Sequence, residues 1–148
     1  MAATDENIVF FMRQMTRVNL TLRAYMRRRF KEHGINITFE MLQVLRFLWE
    51  KNGVNQQEIA DAIMKDKTSV TYLIDNLVRR KLVRRTADHT DRRNKIIVLT
   101  EGGEKLKMQI TPWLREMYHQ AAMGLDPGLL TAGASILERI QENFRETS

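Results

Sequence analysis

A mainly α-helical (α+β) protein with one short β-ribbon is the fold class that this sequence predicts, on three observations. Apolar residues recur at spacings of three and four over most of the chain. Three short helical segments follow one another between 38 and 81, each with its own start signal. Directly after them stand two runs rich in Val, Ile and Thr, 82–87 and 94–100, joined by six polar residues. The chain has 148 residues, 43% hydrophobic and 28% charged. That is ample for one core and short for two, so a single domain over 1–148 is expected.

From Asp5 to His33 the positions Ile8, Phe11/Met12, Met15, Val18, Leu22, Tyr25/Met26 and Phe30 form one apolar stripe, and Gly34 is placed to end the helix. About 28 residues at 1.5 Å each make about 42 Å, more than a small domain needs for its own core. Part of this helix is therefore expected to pack outside its own fold. Thr38 is an N-cap for a second helix with Met41/Leu42, Leu45 and Leu48/Trp49 inward, stopped at Asn52-Gly53. Asn55-x-x-Glu58 opens a short third helix carrying Ile59, Ala60 and Ile63. Asp66 caps a fourth in which Val70, Leu73, Ile74 and Leu77 form the buried face. After the ribbon, Thr100 starts a helix with Leu106, Ile110, Trp113/Leu114 and Met117 on one face and Pro112 as a kink site. Asp126 caps the last helix, with Pro127 at its first position. That helix carries Leu129/Leu130, Ile136/Leu137, Ile140 and Phe144.

Charge is concentrated rather than spread. Of 24 basic and 18 acidic side chains, eight basic and two acidic ones lie in 79–95, so the rest of the chain holds 16 of each. Such a run is either a solvated face or an attractor of polyanions, phosphate backbones being the commonest. The other basic cluster, "MRRRFKEH" at 26–33, is balanced elsewhere and reads as a solvated helix end. The absence of cysteine excludes disulfides, thiol switches and thiolate metal sites. No run approaches the roughly 20 apolar residues of a membrane span, and the first ten residues lack signal-peptide features, so a cytoplasmic protein is expected. His33, His89 and His119 are scattered without ligand spacing, and no metal or other cofactor is expected. Paired carboxylates, a phosphate loop around "EGGEK" or a Ser/His/Asp set are all wanting, so enzymatic activity is not expected.

Three helices and a ribbon make the winged helix-turn-helix plan, in which the last helix enters a DNA major groove and the ribbon tip the neighbouring minor groove. With the apolar face of the fourth helix inward, Thr68, Tyr72, Asp75, Asn76 and Arg79 point outward at 100° per residue, flanked by Ser69 and Thr71, with Lys67 at the helix start. Hydroxyl, amide and guanidinium groups read base edges or hold phosphates, although any surface helix is polar. Asp75 facing DNA is awkward: it pairs with Arg79 or a wing arginine, or it is a solvated surface acid.

The stretches "NQQEIADAIMKDKTSVTYLIDNLVRRKLVRR" and "DHTDRRNKIIVLTEGGEKL", with the helices around them, resemble the MarR-type transcriptional regulators over essentially the whole chain. The most specific pieces are Asp91-x-Arg93 before the strand ending Leu99-Thr100, and Asp66-Lys67-Thr68-Ser69-Val70. The resemblance implies a homodimer interlocked through helices at 5–33 and 101–147. Two winged regions, 38–100, would read double-stranded DNA at a pseudopalindromic operator, as a repressor. It implies Arg93 at the wing tip in the minor groove and Asp91 bracing the wing by pairing with a nearby arginine. A narrow minor groove favours arginine. Arg92 and Lys95 serve there or as phosphate contacts. Many relatives release DNA when a small aromatic or hydrophobic effector binds. Here Met12, Met15, Trp113 and Met117 are candidate pocket residues, with Met-rich core packing the alternative. A winged-helix module binding DNA without sequence preference, or a protein partner, is the other reading.

Overall fold

The structure, a computed structural model, describes residues 3–145. They fall into two compact units, one ending at Arg115 and the other starting at Glu116. The boundary falls inside a helix, shortly after Pro112. The first unit holds α1 (Ala3–Glu32), α2 (Phe39–Glu50), β1 (Val54–Asn55), α3 (Gln56–Ile63), α4 (Lys67–Arg79), β2 (Val83–Ala87), β3 (Lys95–Leu99) and the first part of α5 (Glu101–Ala122). The second holds the rest of α5 and α6 (Pro127–Arg145). The mainly α class with a winged helix-turn-helix holds.

The helix starts follow from the caps. Thr38 Oγ1 accepts from the Met41 amide at 3.1 Å, Asn55 Oδ1 from the Glu58 amide at 2.9 Å and Asp66 Oδ2 from the Ser69 amide at 3.1 Å. Each satisfies a first-turn N–H that the helix cannot. The stops are equally specific. Gly34, at φ 66°, ends α1 with the Ile35 amide donating to Phe30 O. Lys81, at φ 60°, ends α4 with its own amide on Val78 O and the Leu82 amide on Leu77 O, the paired bonds of a Schellman stop. That tight turn sends the chain directly into β2.

The ribbon differs from expectation in having a third strand. β1, two residues long, pairs antiparallel with β3, giving the order β1-β3-β2 with Val54 and Arg85 both opposite Ile97. Two residues cannot carry an alternation, so only the tertiary pairing identifies them as strand. The core lies between this sheet and the three helices. Leu45 and Leu48 of α2, Ile59 of α3, Ile74 and Leu77 of α4, Val83 and Ile97 are essentially inaccessible. Each aliphatic side chain of this size contributes about 1.5–3 kcal/mol by leaving water. The alternation Lys95 out, Ile97 and Leu99 in fixes the β3 register, because a one-residue slip would expose both.

α5 continues through Pro112. α6 begins where Asp126 Oδ1 accepts from the Gly128 amide at 2.8 Å. None of its residues is buried.

Candidate nucleic-acid interface

The four buried side chains of α4, Val70, Leu73, Ile74 and Leu77, turn the opposite face outward. Lys67, Thr68, Tyr72, Asp75 and Arg79 are exposed there, Tyr72 at 67%. An aromatic ring left that open among short polar groups is available to stack or to contact a thymine methyl.

Three of the expected reading residues are occupied within the fold. Ser69 donates its hydroxyl to Asp66 Oδ1 at 2.5 Å. That bond, with the Ser69 amide, holds the Asp66 carboxyl below the usual carboxylate range. Thr71 is half-buried, donates to Lys67 O at 2.9 Å and accepts from the Gln56 side-chain amide, tying α4 to α3. The Asn76 amide donates to Tyr72 O at 2.9 Å while its Oδ1 accepts from Arg79 at 2.6 Å and Arg80 at 3.2 Å. These hydrogen bonds shape the helix, and those of Asn76 also aim Arg79 and Arg80.

Asp75 accepts from Arg85 Nη2 of β2 at 2.5 Å. Of the sequence alternatives this is the wing arginine, since Arg79 turns to Asn76 instead. Arg80 is tied to the α1–α2 connection, its Nε donating to Asn36 O at 2.8 Å. The cations of 79–95 therefore divide into ones that hold the fold, Arg80 and Arg85, and outward ones: Arg79, Lys81, Arg84, Arg92, Arg93 and Lys95.

The wing loop, 88–94, is held by two aspartate turns. Asp88 Oδ1 accepts from the Thr90 amide at 2.9 Å and hydroxyl at 2.7 Å. These bonds, the hydroxyl first, keep its carboxyl low. Asp91 Oδ1 accepts from the Arg93 amide at 3.0 Å, and Asp91 O from the Asn94 amide at 3.1 Å. Asp91 thus braces the wing through backbone rather than by the guanidinium pairing expected. Short carboxylates favour such local bonds to the amide two residues on. Asp88, left unassigned on sequence, does the same. The turns leave Arg92 and Arg93 exposed at the tip, with Lys95 at the root of β3.

Between the starts of α3 and α4 and the root of the wing opens a cleft of about 300 Å³, lined among others by Asn55, Gln57, Lys67, Arg85, Arg93 and Lys95. Asn55 is read from sequence only as a helix start, and Gln57 and Arg85 are not among the expected site residues. Only Arg85 gave a signal, as part of the basic run; the others come here through the fold.

The four candidate pocket residues have different surroundings. Met12 lines a shallow apolar groove along α1 with Ile8 and Val9, and Met15 is exposed. Trp113 is buried, its ring centroid 6.4 Å from Phe30 and 4.4 Å from His33. Met117 is buried too. Burial of this kind is what Met-rich core packing, the alternative reading of these residues, requires of Trp113 and Met117. Among the described residues, no group of three or more His, Asp or Glu could hold a metal, and no helix is long and apolar enough to cross a membrane.

Helix-turn-helix, wing and a basic outward face define a winged-helix transcriptional regulator of the DNA-binding class. The MarR family profile matches residues 37–95. The regulator MhqR of Bacillus subtilis strain 168 is 31% identical over 109 residues, covering 74% of this chain and 73% of its own. The chain belongs to the MarR family. Solved structures share the fold. A MarR regulator from Methanosarcina mazei Go1 aligns at TM-score 0.79 and 23% identity, over 94% of this chain and 99% of its own. MepR of S. aureus, solved in complex with DNA, aligns at 0.81 and 24%, over 90% and 97%.

Proposed function

We propose that the protein is a homodimeric repressor that reads a pseudopalindromic operator, with α4 in the major groove and Arg93 of the wing in the adjacent minor groove. The observation that carries this reading is the placement of outward cations. Lys67 and Arg79 stand at the two ends of α4, and Arg92, Arg93 and Lys95 on a wing stiffened by its own aspartates. A stiff wing delivers a guanidinium into a narrow, strongly negative groove with little ordering penalty.

Apolar surface supports the dimer. On α1, Phe10, Val18 and Leu20 are 65%, 56% and 59% exposed, and on α6 Leu129 and Phe144 are 68% and 67% exposed. Amphipathic helices of this length bury such faces against another element, and a two-fold symmetric partner supplies one. Two copies of α4 would then address half-sites about 34 Å apart.

An anisotropy titration with duplexes from upstream of the protein's own gene, against shuffled duplexes at matched salt, tests the reading. Preference for one upstream duplex by about 10³-fold or more is expected. Equal affinity for all would reduce the protein to a non-specific DNA module. A reporter on that upstream region should rise when the gene is deleted; a fall would make the protein an activator.

A further inference from the structure

We infer that the cleft at the root of the wing is a seat for a single backbone phosphate of the DNA, held jointly by Lys67 and Lys95 with Arg93 and Asn55 beside them. The inference rests on the DNA-binding reading and adds a site to it. The cleft's charge is the first argument. Lys67, Arg93 and Lys95 all line it, and none has a carboxylate within ion-pair distance among the described residues. The fourth cation, Arg85, is already paired with Asp75. Asn55 spends its Oδ1 on the Glu58 amide, which leaves its NH2 as a donor. The acids nearby are committed elsewhere, Asp66 to Ser69, Asp91 to the Arg93 amide and Asp61 to Gln57. What remains unmet in the cleft is positive charge and N–H donors, the complement of phosphate oxygens.

Topology gives the second argument. Lys67 opens the helix that addresses the major groove, and Arg93 and Lys95 belong to the wing that addresses the minor groove. The ridge between two adjacent grooves is the sugar-phosphate backbone. A protein occupying both must straddle that ridge, and this cleft is the gap between its two reading elements.

The test uses a random-sequence duplex, so that it does not depend on an operator. Binding is measured by anisotropy across a salt series for Lys67→Gln, Lys95→Gln, the double variant and Lys31→Gln, a lysine on α1 outside the cleft. A phosphate contact contributes about 0.9 to the slope of log K against log salt. If both lysines hold one phosphate, the double variant loses about 0.9, the singles each lose less, and Lys31→Gln keeps the wild-type slope. A double-variant loss of about 1.8 would place the lysines on separate phosphates, and no loss would remove both; either overturns the seat. Asn55→Asp keeps a good cap but puts a carboxylate into the cleft. It should melt like wild type and bind the same duplex more weakly; wild-type binding would argue against Asn55 in the seat. Calorimetry with inorganic phosphate alone covers the other source of the ligand. Phosphate binding abolished in the double variant, with the DNA slope unaltered, would make this a free-anion site. Slopes as expected without any operator preference would sink the sequence-specific reading and leave the seat standing.

Discussion

Replacing Gly103 by alanine sets two effects of opposite sign against each other. Gly103 lies in the first turn of α5, where alanine is the better helix former by about 1 kcal/mol. Helix propensity alone therefore predicts stabilisation. A Cβ at this position, however, would lie 2.3 Å from Leu82 O and 3.0 Å from Leu99 Cδ2. The first obstacle is backbone, so it cannot swing aside as a flexible side chain would. It is also anchored: Leu82 O accepts from the Thr100 amide at 3.1 Å, and Thr100 Oγ1 donates to Lys81 O at 2.5 Å. Moving α5 off the strand would strain both bonds, each worth about 0.5–1.5 kcal/mol net, on top of about 1–3 kcal/mol for overpacking. Sterics win, and a net loss of about 1–3 kcal/mol is expected, a Tm lower by about 2–4 °C per kcal/mol. Urea unfolding at a fixed protein concentration reads it as a lower midpoint with unchanged slope. Gly102→Ala, whose Cβ would be 2.9 Å from Lys81 O, should lose less. A Gly103→Ala protein as stable as wild type would refute the close approach of α5 to the start of β2.

Arg93→Ala should weaken operator binding by about 1–3 kcal/mol in anisotropy titrations with the urea midpoint unmoved; a shifted midpoint would make Arg93 part of the fold. Asp75→Asn breaks a pair whose side chains are 52% and 30% exposed, Asp75 and Arg85 respectively, so stability should change by less than about 1 kcal/mol. The freed Arg85 and the missing carboxylate should steepen the salt dependence of DNA binding, and an unchanged slope would count against that pair facing the DNA. Ile136→Glu, on the open face of α6, should shift the protein toward monomer in sedimentation equilibrium, whereas an intact dimer would exclude that face from the interface. Burial raises the Glu40 pKa, but the Arg23 guanidinium outweighs it and leaves the carboxyl below its ordinary value of 4.5. Glu40 thus adds stability that is present above that pH and lost as pH falls through the lower folded value. Arg23→Gln should flatten the decline in urea midpoint on the acid side, and an equally steep decline would detach it from this pair.

Local order was legible because its causes are local. Thr38, Asn55, Asp66 and Asp126 act within three residues of themselves, and Val70, Leu73, Ile74 and Leu77 announce the buried face of α4 by spacing alone. From that face the outward position of Tyr72 and Arg79 follows by rotation about the helix. The wing tip was legible for the same reason, since a polar loop between two Val/Ile-rich runs has nowhere to go but outward. What could not be read was the commitment of each polar group. Ser69, Thr71 and Asn76 look like readers by type, yet their hydrogen bonds are made within the protein. Whether a hydroxyl is free depends on what the fold brings beside it, as Gln56 is brought to Thr71.

The sequence by itself determined the helices, their ends, the core face of α4, the ribbon and the segment that holds the excess charge, because periodicity, capping and charge count are properties of neighbours along the chain. Only the tertiary structure decided that Val54 and Asn55 form a strand and that Asp75 takes Arg85 rather than Arg79. It alone turned Asp91 to the backbone of Arg93 and joined Asn55, Lys67 and Lys95 in one cleft. Those residues are separated by up to forty positions, and a hydrogen bond or an ion pair acts over a few ångströms. Their partners are settled by the packing of three helices on a sheet, which the order of residues does not display.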